Sequence, residues 1–448
     1  MTERTRTRTR ARLGRNYWKL FSASVISNGG DGVGLIAYPW LASAVTRNPL
    51  LIGLVSVANR LPWLVFSLPA GVITDRVDRR VTMVVCDTLR AVLTLVVALV
   101  VFAARGSLPG VDELDSVIAT RPGLYVVLLV ATLLLGMAEV LRDNCGQTLL
   151  PSLVDASLLE KANGRMWGAE MVVNAFIGPV VGGFLLSIAF ALPFLVDAGS
   201  FALAAGLVFL IGGRFRAPRT VDEQRQPWQV ELREGVRWLR GHELLWPMAV
   251  ILGLLNAIGM MTFATFVLFG QEVLHTTPTT FALVTTGAAV GGIIGSLAAP
   301  RVSRAIGAGP SLAMTMIGGA VGSLALALTS NWPVAWLAFG VEAGLGAMWN
   351  VITVSLRQAI IPDHLLGRVN SVYRFLGWGM MPIGSLVGGL VVALGDQVTS
   401  RETALRIPYV VALVGNLLLL AFGSRRLTTA KIEAARAAGK APAPAPAV

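Results

Sequence analysis

Apolar stretches of about 20 residues recur along nearly the whole chain, separated by short polar or charged turns. Wound as an α-helix at about 1.5 Å per residue, such a stretch crosses the roughly 30 Å hydrocarbon core of a bilayer. In lipid every backbone N–H and C=O must be satisfied internally, so a chain of such stretches folds as a bundle of membrane helices. Composition agrees: 54% of residues are hydrophobic and 14% charged, against about 25% charged in an ordinary soluble domain. A large soluble enzyme would break its apolar runs with polar helix faces and short amphipathic strands, and such breaks are scarce here.

The runs fall near residues 18–42, 50–73, 81–104, 123–145, 166–188 and 190–212. After a polar stretch they resume near 244–270, 278–299, 310–330, 332–356, 371–394 and 406–423. The expected fold is therefore an all-α polytopic membrane protein with twelve transmembrane helices. Its segments are a basic tail (1–16), a six-helix half (17–213), a linker (214–243), a second six-helix half (244–424) and a basic, Ala/Pro-rich tail (425–448). With the amino terminus inside, all but seven of the 37 lysines and arginines fall on one side; the exceptions are Arg47, Arg60, Arg90, Arg105, Arg121, Arg401 and Arg406. This bias predicts a multi-pass protein of the inner (cytoplasmic) membrane with both termini cytoplasmic. Topology thus accounts for the net charge of +12 without a nucleic-acid partner. The opening MTERTRTRTRARLGRNYWK lacks the compact apolar region and cleavage site of a secretory signal. Cys86 and Cys145 carry no CxxC spacing and read as small packing residues.

An internal repeat supports two related halves. Residues 142–183 and residues 357–389 both run from an arginine through a proline and a GR pair into an apolar helix that ends in a GxxxGG-like pattern. DRVDR at 75–79 is echoed more weakly by PRVSR at 300–304.

GVITDRVDRR, at residues 71–80, resembles the signature between the second and third helices of the major facilitator superfamily. SNGGDGVGLIAYPW in the first span and the RDNCGQTLLP stretch resemble the subgroup that contains siderophore exporters and macrolide-type or multidrug efflux proteins. This chain has Asp78 where the superfamily pattern commonly has glycine, and Pro300 where the first-half copy has Asp75. The resemblance implies two pseudo-symmetric six-helix halves and a cytoplasmic gate in which Asp75 caps and pairs across helix ends. Arg76, Arg79 and Arg80 match the basic positions of that motif. Arg142, at the cytoplasmic end of the fourth span, is the expected partner of Asp75, because a charge needs compensation where the dielectric falls.

Charges inside the spans are the candidate machinery. Asp31 lies about halfway through the first span among Gly29, Gly30, Gly32 and Gly34, a depth at which a carboxylate must be paired, hydrated or protonated. It is the leading candidate for a proton-coupling or cavity-facing acid, followed by Glu342 in LAFGVEAGLGAMW. Glu139 and Asp143 share a helix face beside Arg142, and Glu170 is placed to join them. Arg90 reads as a local counterion to Asp87. Tyr38, Trp167, Trp349 and Trp378 are candidate cavity aromatics, with interfacial anchoring as the alternative.

No Walker loop is present, and His242, His275 and His364 are far apart. No cofactor and no metal are expected, and a proton gradient is the expected energy source. The function expected is secondary active export, by proton antiport and alternating access, of a drug-like or siderophore-like small molecule. The alternatives are a lysophospholipid flippase or proton-coupled importer of the same fold, and a non-transporting sensor. The expected partners are the substrate, protons and membrane lipids, with a single chain as the transport unit. If Asp75 holds the cytoplasmic gate, Asp75→Asn shifts the population away from the outward-facing state. Electron-resonance distances between spin labels across the cytoplasmic helix ends measure this, and unchanged distances would remove Asp75 from the gate.

Overall fold

The computed structural model describes residues 13–110, 114, 119–215 and 228–440. The TR-rich start and most of the closing Ala/Pro run lie outside the described residues. The first half comprises α1 (Arg15–Val45), α2 (Pro49–Val65), α3 (Ser67–Arg76), α4 (Arg79–Ala103), α5 (Pro122–Leu149), α6 (Leu159–Val172), α7 (Gly178–Ile188) and α8 (Ala191–Phe209). The linker contains α9 (Trp228–Gly241). The second half comprises α10 (Leu245–Ala264), α11 (Phe266–Glu272), α12 (Pro278–Ile306), α13 (Ala308–Leu328), α14 (Trp332–Ile360), α15 (Asp363–Val398) and α16 (Arg401–Ser424), followed by α17 (Thr429–Lys440).

Ten helical segments among the described residues are long and apolar enough to cross a membrane. The other two expected spans are α1, made less apolar by its serines, Asn28 and Asp31, and α2, which is short because the helix breaks at Phe66 and resumes as α3. The fifth span joins α6 to α7 through a π-helical turn at Val173–Ile177. The corresponding stretch of the sequence repeat in the second half is the single long α15.

Helix starts follow local chemistry. Asn48 caps α2 by accepting from the Leu50 N–H at 2.9 Å, with Pro49 at the first position. Thr277 before Pro278 and Ser400 before Arg401 cap α12 and α16 in the same manner. His242 Nδ1 accepts from the N–H groups of Leu244 and Leu245 at 3.2 Å each. Burial lowers the pKa of His242 and so favours the neutral ring that this role requires.

The side-chain pattern is that of a protein in lipid. On α4 the outward residues are apolar, with Val85, Val92, Val96 and Leu99 exposed, while Asp87, Arg90 and Thr94 point inward and are buried. Helices meet through small residues, because van der Waals packing replaces the hydrophobic drive in a bilayer. Gly287, Gly291 and Gly295 of α12 bring its backbone against Trp336, Gly340 and Gly344 of α14. Contact between the halves runs chiefly through α2 on α15 and α7 on α12. A methyl on Gly53 would stand 3.1 Å from the Cα of Gly389, and one on Gly183 would stand 2.7 Å from the Pro278 carbonyl oxygen.

A methyl on Gly291 would overlap the carbonyl oxygen of Gly340. Gly291→Leu is therefore expected to cost about 1–3 kcal/mol or more by overpacking, read as a lower midpoint of thermal unfolding in detergent.

Candidate functional site

A cavity of about 330 Å³ lies between the two halves. α1 contributes Asp31 and Tyr38, α2 Arg60 and Trp63, α5 Glu139, and α8 Asp197 and Phe201; the second half contributes an aromatic wall of Phe263, Phe266 and Phe281. Arg90 organises the charged side. Its guanidinium ion-pairs with Asp31, donates to Ser27 Oγ at 3.2 Å, lies 3.8 Å from Asp87, and stacks on the Phe201 ring at 3.9 Å from the centroid. Arg142 continues the network behind it, 3.4 Å from Asp87 and 3.5 Å from Asp143, while donating to Ser24 Oγ at 3.3 Å. One helix, α4, is thus tied to α1, α5 and α8 through charged side chains in the interior.

Gly30 makes room for a further acid. A methyl there would collide with the Asp197 carboxylate and the Ser200 hydroxyl. Asp197 is 3% exposed, and its Oδ1 has no hydrogen-bond partner. Three acids (Asp31, Glu139 and Asp197) therefore line the cavity with two arginines (Arg60 and Arg90), and Asp87, Asp143 and Arg142 stand behind them. In a low dielectric each charge at this wall that lacks a partner is costly.

The two ends of the bundle are built differently. Away from the termini, Glu272 at the end of α11 accepts from Arg47, which follows α1, and from Arg401 Nε at 2.9 Å at the start of α16. Arg401 also donates to the Arg47 carbonyl at 2.8 Å. Gln271 bridges to Arg47 at 2.6 Å and to Ser43 Oγ at 2.9 Å, so this end is latched across the two halves. At the end carrying the termini, Arg79 donates to the Thr148 carbonyl at 3.0 Å and Arg80 to the Phe209 carbonyl at 2.6 Å, both within the first half. Asp78 caps α4 by accepting from Arg80 and Val81 N–H groups at 3.1 and 3.2 Å, and its second oxygen takes the Phe215 N–H at 3.1 Å. The acid at the usual glycine position thus fastens the segment leaving α8 to the start of α4.

The sequence profile of the Major Facilitator Superfamily matches residues 20–385. The chain belongs to the Major Facilitator Superfamily. It is a multi-pass membrane transporter of small molecules, not an enzyme. It is 24% identical over 400 residues to the multidrug efflux pump Tap of Mycolicibacterium fortuitum, covering 88% of this chain and 92% of that one. It is 22% identical over 420 residues to the enterobactin exporter EntS of Citrobacter koseri, covering 91% and 92%. A bacterial homologue of the iron transporter ferroportin, solved in an inward-facing state, superposes with a TM-score of 0.69 at 16% identity, covering 92% of this chain and 99% of that one.

Within this superfamily frame, the structure places Asp31, Glu139 and Tyr38 on the cavity and takes other expected residues away from it. Glu342 faces α13, 3.5 Å from Ser323 Oγ and against Gly322, because its helix presents that side to a neighbour rather than to the centre. Glu170 on α6 is absent from the cavity wall, and Trp167 is 69% exposed on the outside. Trp349 is 1% exposed within a packed core and is absent from the cavity wall. Trp378 reaches the site only through Trp63, which it meets edge-on at 5.2 Å. Arg90 pairs across helices with Asp31 as well as locally with Asp87. Arg142 is buried in that network, and its described acidic partners are Asp87 and Asp143. Arg76 is exposed; the Asp75 side chain, and with it the expected Asp75–Arg142 pair, lies outside the described residues. Asp197 and Arg60 are further cavity residues, and their depth within a span is the signal the sequence carries for them.

Removing the acid of the latch is expected to open that end. Glu272→Gln should raise the fraction open away from the termini about threefold to tenfold, the scale of one partly exposed ion pair. Distances between spin labels at the loops after α1 and α11 measure it, and an unaltered distribution would rule out a latch.

Proposed function

We propose that the protein is a proton-coupled exporter that exchanges a drug-like or siderophore-like small molecule for protons by alternating access. The observation that carries this reading is the ion pair between Asp31 and Arg90 at the wall of a cavity shared by both halves. Protonation of Asp31 frees the Arg90 guanidinium from its partner on α1, and binding of a substrate at the same wall competes with that proton. The two halves rock about the cavity between the latch at Glu272 and the gate at the opposite end, where Asp75, Arg76, Arg79 and Arg80 lie. One proton charge crossing 100 mV releases about 2.3 kcal/mol, enough to bias the cycle without a nucleotide or other cofactor.

Export is the direction favoured by two of the relatives, which are named as an efflux pump and an exporter. The aromatic wall of Phe263, Phe266 and Phe281 suits a substrate with a flat apolar body. The cavity is complete within one chain, which supports a monomeric transport unit. The basic residues on the side of the termini and the bacterial relatives support an inner membrane with both termini in the cytoplasm. Asp31 is the first choice for the coupling acid, with Glu139 and Asp197 beside it; Glu342 sits at the α13–α14 contact and Glu170 lies off the cavity wall.

Purified protein titrated with ethidium, a planar aromatic cation, should release protons in weakly buffered solution. Asp31→Asn should reduce that release, and ethidium flux driven by an imposed pH gradient in proteoliposomes, by about tenfold or more, the scale of a strong coupling term. Wild-type release and flux in Asp31→Asn would remove Asp31 from the coupling role.

A further inference from the structure

Two opposite charges face the cavity with no hydrogen-bonded or ion-paired partner among the described residues. Arg60 on α2 and Glu139 on α5 both line it, yet among the described residues neither makes a hydrogen bond or an ion pair, with each other or with any third group. This sets them apart from Arg90 and Arg142, which are engaged by carboxylates and serine hydroxyls. A guanidinium presents five donors in a rigid fork matched to a carboxylate, and it is poorly accommodated in a membrane interior until they are used. Trp63 is three residues beyond Arg60, on the same helix face, and also lines the cavity. It adds an aromatic surface beside the cation. Across the cavity the phenylalanine wall holds no charge.

We infer that the cavity is a receptor for zwitterionic aromatic compounds, with Arg60 binding the substrate's anionic group, Glu139 facing its cationic end, and Trp63 and the phenylalanines holding the flat body between them. This rests on the reading of the cavity as the transport site and narrows the substrate class. A zwitterion adds no net charge to a wall that already carries one acid in excess. A purely cationic compound uses Glu139 but leaves Arg60 bare, and a purely anionic one leaves Glu139 unmatched. The volume of about 330 Å³ is at the lower end of the range for drug-sized ligands, so a bound molecule is held close to the wall that carries Arg60 and Glu139.

A matched pair of dyes isolates the carboxylate. A rhodamine with a free benzoate is a zwitterion, and its methyl ester is the same body with the cation alone. Fluorescence anisotropy with purified full-length protein in detergent should show the acid binding about tenfold tighter than the ester, the scale of one charge-assisted pair. Arg60→Gln should collapse that preference, whereas Arg60→Lys, which keeps the charge, should retain part of it and so separate lost charge from lost packing. Equal binding of acid and ester to the wild type, or an equal loss of both in Arg60→Gln, would overturn the zwitterion assignment while leaving the cavity as transport site. Binding of neither dye would count against the cavity itself.

Discussion

The first half of the molecule depends on one guanidinium. Arg90 is buried in the middle of a membrane helix, where an unpaired charge is strongly unfavourable. Its contacts with Asp31, Ser27, Asp87 and the face of Phe201 meet that requirement. In doing so they draw α1 and α8 onto α4. Asp87 then needs more than Arg90 alone supplies, and Arg142 of α5 stands 3.4 Å away. Each charge recruits the next because the low dielectric makes isolation costly. The result is a helical half whose interior is polar and whose outer face is apolar.

The second half is held together by different means. α12 and α14 meet along a seam of glycines so close that their backbones touch, and α10 and α15 pack in a similar way at Gly384 and Gly388. Glu342 is the acid deep within its spans, and it is occupied at the α13–α14 contact. The cavity wall of this half is aromatic, that of the first half charged. Pseudo-symmetry in the chain therefore does not extend to the cavity: one half lines it with titratable groups, and the other supplies an apolar surface for them to face. The glycine contacts of α2 on α15 and of α7 on α12 keep the two bodies in close register near the latched end.

GVITDRVDRR illustrates how much a motif discloses. Its side of the bundle follows from Arg76, Arg79 and Arg80. What the basic residues touch does not: Arg79 and Arg80 close on carbonyls at the ends of α5 and α8, more than sixty and a hundred residues away in sequence. Asp78 follows the ordinary rule that an aspartate before a helix caps it, yet its second oxygen takes a backbone N–H from Phe215. A local rule predicts the first bond and is silent on the second. The same holds for the tryptophans. Trp63 and Trp349 are alike in type and depth, but helix rotation points one into the cavity and buries the other in a core.

Apolar run length, charge bias and repeat spacing by themselves determined a twelve-helix, two-half membrane bundle, because the bilayer admits few ways to satisfy a backbone and each side of it sorts basic residues. They also singled out Asp31, since a carboxylate at mid-depth has no innocuous place in lipid. Only the tertiary structure decided its partner, the company of Asp197, the exclusion of Glu342 and Trp349 from the centre, and the lack of a hydrogen-bonded or ion-paired partner for Arg60 among the described residues. Those outcomes depend on how each helix is rotated about its axis. Rotation is set by packing against neighbours distant in sequence, and a run of apolar residues does not encode it.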